Sequence, residues 1–239
     1  MSTALVFSAA GMFGAWQAGV WKALCDHFKP DLIVGASAGA WNGWSIAGGA
    51  TASDLIGVWT DPLTAKIMQP GLHSTGILRP TLLHQRAHEL VSRYQPRIPF
   101  GLTVVEVPRM RLRLFRDSEI GWRHLAATCS IPLCFPPVPI EGRKYVDGGV
   151  LGALPLWAAE EMGATRAVAL NALTIAPFRW LRPIFARRPA SPALKVTLIE
   201  PSRKLGRVRD AFVWSAENIR SFIELGERDG TRAVSSITM

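Results

Sequence analysis

Leu32-Ile33-Val34-Gly35-Ala36-Ser37-Ala38-Gly39-Ala40-Trp41 opens with three apolar residues and continues into a long uncharged run of small ones. That order spells strand, sharp turn and buried helix, the setting of a nucleophile elbow. Gly35 and Gly39 leave room for the chain to double back. The turn then presents the Ser37 hydroxyl at the end of a sheet, and the N-terminus of the next helix, with the Ala38 amide, faces any oxyanion formed there. An ordinary tight strand–helix connection would be spelled with the same residues, so the elbow has to be judged by what could activate the serine.

The usual order of a hydrolase triad along this kind of sheet is serine, acid, histidine. The five histidines are His27, His73, His84, His88 and His124. None follows Asp147, which sits in Asp147-Gly148-Gly149, an acid on a glycine turn. Asp147 therefore cannot be the acid of a Ser–Asp–His sequence. Asp54, Asp61, Glu106 or Asp117 could still complete a triad with His124, at the expense of leaving Asp147 unexplained. The simpler reading is a dyad in which Asp147 contacts Ser37 directly.

A third element lies at the N-terminus. Leu5 to Ser8 reads as a strand, Ala9-Ala10-Gly11-Met12-Phe13-Gly14 as a small-residue loop, and Ala15 to Phe28 as a helix. Consecutive amides in such a loop can converge on one oxygen. No Lys-Ser or Lys-Thr follows it, so a phosphate loop is a poor competitor, and the glycine spacing does not match a dinucleotide fingerprint.

Taken in order, these elements resemble the patatin-like phospholipases over nearly the whole chain. Ala9 to Gly14 matches that family's oxyanion loop, Gly35 to Gly39 its serine motif and Asp147-Gly148 its aspartate motif. Cys129 to Pro137 is similar to the segment upstream of the aspartate, and Pro155 stands where the family often has a proline. The resemblance implies a lipid acyl hydrolase of phospholipase A or lysophospholipase type, with a Ser37–Asp147 dyad and no metal or other cofactor. Backbone amides near Ala10, Gly11, Met12 and Ala38 would hold the oxyanion. Three departures stand against it. Ala9 and Ala10 replace glycines, Phe13 replaces the common basic residue, and Ala153 stands where an asparagine is usual. An alanine forced to positive φ would cost about 1–2 kcal/mol. The departures motivate an alternative, a catalytically weak lipid-binding or regulatory protein.

Composition sets wider limits. The chain has 239 residues, 49% of them hydrophobic, enough for one domain with a substantial core. Cys25, Cys129 and Cys134 lack metal spacing and suit a reducing, cytoplasmic setting. Ser2 to Trp21 is uncharged but has no basic leader, and the uncharged stretch Leu32 to Ser53 is broken by polar residues. Neither reads as a membrane span.

Further helices are expected over Ser53–Asp61 and Pro80–Tyr94, from an Asp117 or Ser118 cap to about Thr128, and over Val208–Glu227. Paired strands are expected at Leu102–Val107 and Arg111–Phe115. A hairpin of Val138–Ile140 and Lys144–Val146 would deliver Asp147, with later strands at Ala167–Leu170 and Lys195–Ile199. The alternation predicts an α/β fold, a three-layer α/β/α sandwich around a mostly parallel sheet.

The net charge of +9 concentrates in Arg79–Arg97, Arg109–Arg116 and Arg179–Arg209. No nucleic-acid module accompanies it, so nucleic acid is not an expected partner. An anionic membrane surface fits both the charge and a lipid substrate. Phe178, Trp180 and Phe185, interleaved with arginines, are the expected peripheral membrane contacts. A solvated surface loop is the other reading of that stretch.

Overall fold

The computed structural model describes residues 1–73, 76–174 and 188–237. The stretch bearing Phe178, Trp180 and Phe185 lies outside the described residues.

Two strand–turn–helix units built from the most apolar sequence form the centre. Strand β1 (Thr3–Phe7) leads into helix α1 (Gly14–Leu24), and β2 (Leu32–Ala36) into α2 (Ala38–Ala47). The strands pair in parallel, with Phe7 opposite Gly35. Both turns therefore leave the sheet at the same end, where parallel sheets of this kind hold their ligands. Helix α3 (Ala52–Thr60) begins at a Thr51–Asp54 capping box, and α4 (Pro80–Arg93) has proline in its first turn. Between them, β3 (Pro70–His73) and β4 (Gly76–Leu78) form a small separate hairpin.

The main sheet continues through β5 (Phe100–Val107) and β6 (Arg111–Arg116), followed by α5 (Trp122–Thr128). The expected hairpin is β7 (Val138–Ile140) with β8 (Arg143–Asp147). Short helices α6 (Gly149–Gly152) and α7 (Leu156–Glu161) precede β9 (Arg166–Leu170) and β10 (Lys195–Ile199). A 22-residue helix, α8 (Ala216–Ile237), follows. The order is β10-β9-β1-β2-β5-β8-β7, with β6 also on β5. The strands from β10 to β5 are parallel, and β6, β7 and β8 run against their neighbours.

Alternation along the central strands explains the layers. Leu5, Phe7, Ile33 and Leu102 point into a large core with residues of α1, α2, α4, α5 and α8. Ala4, Val6, Leu32 and Val34 face the opposite side, against Trp157, Ala158 and Ala159 of α7. The sandwich is thus a mostly parallel sheet with helices on both faces, as expected, but a thick layer on one side and a thin one on the other. No described helix is long and apolar enough to cross a membrane.

Several helix boundaries differ from the sequence reading: the first helix ends at Leu24 and not at Phe28, and the last runs on past Glu227 to Ile237. Asp117 does not cap α5: its carboxylate accepts the Phe100 amide at 2.7 Å across the sheet, and the helix starts five residues later. There the Gly121 amide donates to His124 Nδ1 at 3.1 Å. The last helix starts at Ala216, because Val208–Ala211 forms a separate 3-10 turn. Part of the basic charge also has a local use. Glu106, almost fully buried, is flanked by Arg109, Arg113 and Arg143 at 3.2–3.3 Å.

Candidate active site

Strand β5 brings Ser37 and Asp147 together. Along one edge it pairs with β6 continuously from Gly101 to Glu106. Its other edge is shared: β2 covers it as far as Ala36 opposite Thr103, and β8, running the other way, takes over with Asp147 opposite Val104. The two strands meet end to end, so the residue after β2 faces the residue that ends β8. Ser37 Oγ donates to Asp147 Oδ2 at 2.7 Å. Both residues are about 95% buried, at 5% and 4% exposure.

The elbow is sterically tight. Ser37 has φ 55° and ψ −136°, a conformation that costs a non-glycine residue about 1–3 kcal/mol. A Cβ at Gly35 would collide with the Ala40 backbone, and one at Gly39 with the Ser8 carbonyl. The turn is held by Thr128, whose hydroxyl accepts the Ser37 amide at 2.9 Å and donates to the Thr103 carbonyl at 2.8 Å. Sequence reading missed this residue, because its contact is purely tertiary.

Asp147 is held from two sides. Its Oδ1 accepts the Gly149 amide at 2.7 Å, and its own amide donates to the Ser130 carbonyl at 3.0 Å. Gly148 has an ordinary φ of −64°. It is required by proximity, since a Cβ there would strike the Thr103 carbonyl. Burial drives the Asp147 carboxyl up to about 7, against the lowering effects of the Ser37 hydroxyl and the Gly149 amide. A carboxylate with that value exchanges protons near neutrality, as a general base should. The Cys129 thiol adjoins the pair. Burial and the Asp147 charge push it well above the usual thiol range, so it stays a neutral SH.

The glycine-poor loop is less strained than its sequence suggests. Ala10 has φ −148°, and Gly11, at φ +55°, is the residue of the loop with positive φ. The replacements at Ala9 and Ala10 therefore carry no left-handed penalty. Gly11 also packs directly on the Ala211 carbonyl. Among the described residues no acceptor is found for the amides of Ala10, Gly11, Met12 or Ala38. Gly11, Met12, Ser37 and Ala38 line one cavity. Ala10 does not line it. Where an asparagine is usual, the Ala153 carbonyl accepts the Ala9 amide at 2.7 Å.

A buried polar network fixes this loop. Gln17 donates to the Ser8 carbonyl at 2.9 Å. Asn42 donates to the Gly14 carbonyl at 3.0 Å and to Gln17 Oε1 at 3.2 Å, and it accepts Trp59 Nε1 at 3.0 Å. Sequence reading missed Gln17 and Asn42; the signal that could have found them is a polar amide among the apolar and small residues of each helix. His124 is occupied elsewhere, with Nδ1 on Gly121 and its ring against Phe115 at 4.3 Å. None of its described hydrogen bonds reaches Ser37 or Asp147.

From Ser37 the cavity runs among α2, α3 and α4. Trp41, Leu55, Trp59, Leu83 and Leu90 supply an apolar wall, while Asp54 and Arg86 also border a neighbouring polar pocket. Among the described residues no cluster of potential metal ligands is found.

The patatin-like phospholipase family model matches residues 5–160. Patatin-like phospholipase domain-containing protein 6 of Mus musculus is 26% identical over 181 residues, covering 70% of this chain and 13% of that protein. An uncharacterized NTE family protein of Mycobacterium tuberculosis is 27% identical over 193 residues, 75% of this chain and 52% of that one. The chain thus spans only a part of these relatives. Among solved structures, VipD from Legionella pneumophila superposes with a TM-score of 0.61 at 10% identity, over 98% of this chain and 67% of VipD. That likeness concerns the fold. With the family model covering well over half of its length, this chain belongs to the patatin-like phospholipase family.

Proposed function

We propose that the protein hydrolyses acyl esters of lipids, of phospholipase A or lysophospholipase type, through a Ser37–Asp147 dyad. The observation that carries this reading is the 2.7 Å hydrogen bond from Ser37 Oγ to a buried carboxylate held at about 7. Asp147 Oδ2 accepts the hydroxyl proton as Oγ attacks the acyl carbonyl carbon. The carbonyl π pair moves onto oxygen, and the amides of Gly11, Met12 and Ala38 donate to the oxyanion, with Ala10 an outer candidate. Collapse breaks the ester C–O bond, the leaving alkoxide takes the proton from Asp147, and the acyl group remains on Ser37. Water then attacks the acyl carbon, its proton going to Asp147, and as the Oγ–acyl bond breaks Asp147 returns that proton to Ser37 Oγ and the fatty acid departs. The apolar wall beside Ser37 supports an acyl chain as the part of the substrate bound there.

The dyad needs no histidine, so His124→Gln should keep most activity. A fluorophosphonate probe should label the wild type at Ser37 and miss Ser37→Ala, and p-nitrophenyl ester hydrolysis should vanish with the label. Equal labelling of the two proteins would remove Ser37 from the mechanism. A peripheral seat on anionic membrane, on the cytoplasmic side, is part of the same proposal, with Phe178, Trp180 and Phe185 as candidate contacts.

A further inference from the structure

Leu133 is the most exposed large apolar residue of the described chain after Met1, at 83%, and it has φ 69°. A branched side chain gains nothing from burial there and is strained by its backbone. Glycine would hold the same turn without strain. Folding alone gives no reason for a leucine at this position.

Its neighbours share the character. Ile77 is 61% exposed, and its amide donates to the Leu133 carbonyl at 3.2 Å, so β4 and the 131–134 segment run side by side. Leu63 is 60% exposed and precedes Thr64, which lines the cavity that holds Ser37. Leu133 itself stands between two other lining residues, Ile131 and Phe135. Leu63 and Leu133 thus adjoin in the chain residues that line an apolar cavity, and Ile77 lies beside Leu133.

Cations outnumber acids along the segments that carry these apolar groups, although the Asp61 carboxylate accepts the Leu63 amide at 2.9 Å. From Pro62 to His88, and again from Ile120 to Ile140, the sequence has no Asp or Glu, while Lys66, Arg79 and Arg123 are exposed. A rim of apolar tips with cations behind them complements an anionic lipid surface: side chains enter the interface and cations meet phosphates.

We propose that Leu133, Ile77 and Leu63 seat the protein on an anionic membrane at the mouth of the cavity, so that an acyl chain passes from lipid to Ser37 without crossing water. This rests on the proposed lipid hydrolysis for its purpose but not for its measurement. Binding is therefore tested in the Ser37→Ala protein by sedimentation with vesicles of phosphatidylcholine alone or with phosphatidylglycerol.

Anionic vesicles should bind more tightly, and Leu133→Gly should weaken partition about tenfold, the order expected for withdrawing one large aliphatic side chain. Ile77→Thr should act in the same direction, and the double variant should lose more than either. Because glycine relieves the backbone, Leu133→Gly should melt no lower than its parent, which separates lost docking from lost folding. In the Ser37-containing protein, Leu133→Gly should lose more activity on vesicle lipid than on a soluble short-chain ester. Unchanged vesicle binding in the double variant would overturn the proposal. So would a concentration-dependent dimer that these substitutions abolish, since the rim would then belong to a second copy of the chain. Loss of Ser37 labelling with vesicle binding intact would overturn only the hydrolytic reading.

Discussion

The turns after β1 and β2 leave neighbouring parallel strands at the same level, and each contains a residue with φ 55°. After β1 that residue is Gly11, and the flanking alanines keep relaxed backbones. After β2 it is Ser37, where a side chain is present despite the strain. The contrast shows what each turn supplies. The first offers amides and needs no side chain at its tightest point, so glycine carries the bend. The second must present a hydroxyl, so the strain falls on the residue that carries the chemistry.

The largest effect should come from cutting the link between the second turn and its base. Asp147→Asn should lower kcat/KM on a soluble ester by about 10^4-fold or more. Wild-type activity should rise with pH through about 7 as Asp147 ionises. Stability should move the other way. The folded carboxyl holds its proton up to about 7, against an ordinary value of 3.8, so wild type loses stability as pH climbs through that window. Asp147→Asn should lack this loss and melt above wild type at pH 8, with the gap closing toward pH 4. Thermal melts across that range check the sign.

Next in size is Gly11→Ala. It adds a left-handed penalty of about 1–2 kcal/mol and a collision with the Ala211 carbonyl, displacing the amides of the first turn. Loss of one oxyanion donor costs about 10^2–10^3 in rate. Measured kcat should fall within that range, with a lower melting temperature. A fully active Gly11→Ala would mean that this loop does not serve the oxyanion.

The smallest effects test the strain itself. Ser37→Gly and Ser37→Ala both lack the hydroxyl and differ mainly in tolerance of positive φ, so the glycine variant should be more stable by about 1 kcal/mol. At Ala10 the order should reverse. Its φ is −148°, and Ala10→Gly should cost roughly 0.5–1 kcal/mol while leaving turnover within about threefold. Chemical denaturation of the four proteins decides whether the two turns divide their labour as described.

Local features were legible in the sequence wherever the chain made its own arrangements. The two central strands, their turns, the β7–β8 hairpin and the Asp147-Gly148-Gly149 turn all follow from hydrophobic runs and small residues. The meeting of β2 and β8 on one edge of β5 was not legible, because 110 residues separate Ser37 from Asp147 and no local pattern records which strand lies between them. The false helix start at Asp117 has a similar cause. An acid suited to capping is instead used by the Phe100 amide across the sheet. Thr128 reads as an ordinary helical threonine until the Ser37 amide is placed beside it. The alanines of the first loop looked costly because sequence gives residue type but not φ.

The end-to-end meeting of β2 and β8 also makes the edge of β5 a ruler, and rulers constrain chain length. An extra residue in the Glu141–Gly142 turn can bulge outward with β8 unmoved. One inserted between Arg143 and Asp147 would slide the carboxylate about 3.4 Å along the edge and turn it to the other face of the sheet. Insertions and deletions should therefore be tolerated on the tip of this hairpin and purged from its last five residues, whatever those residues are.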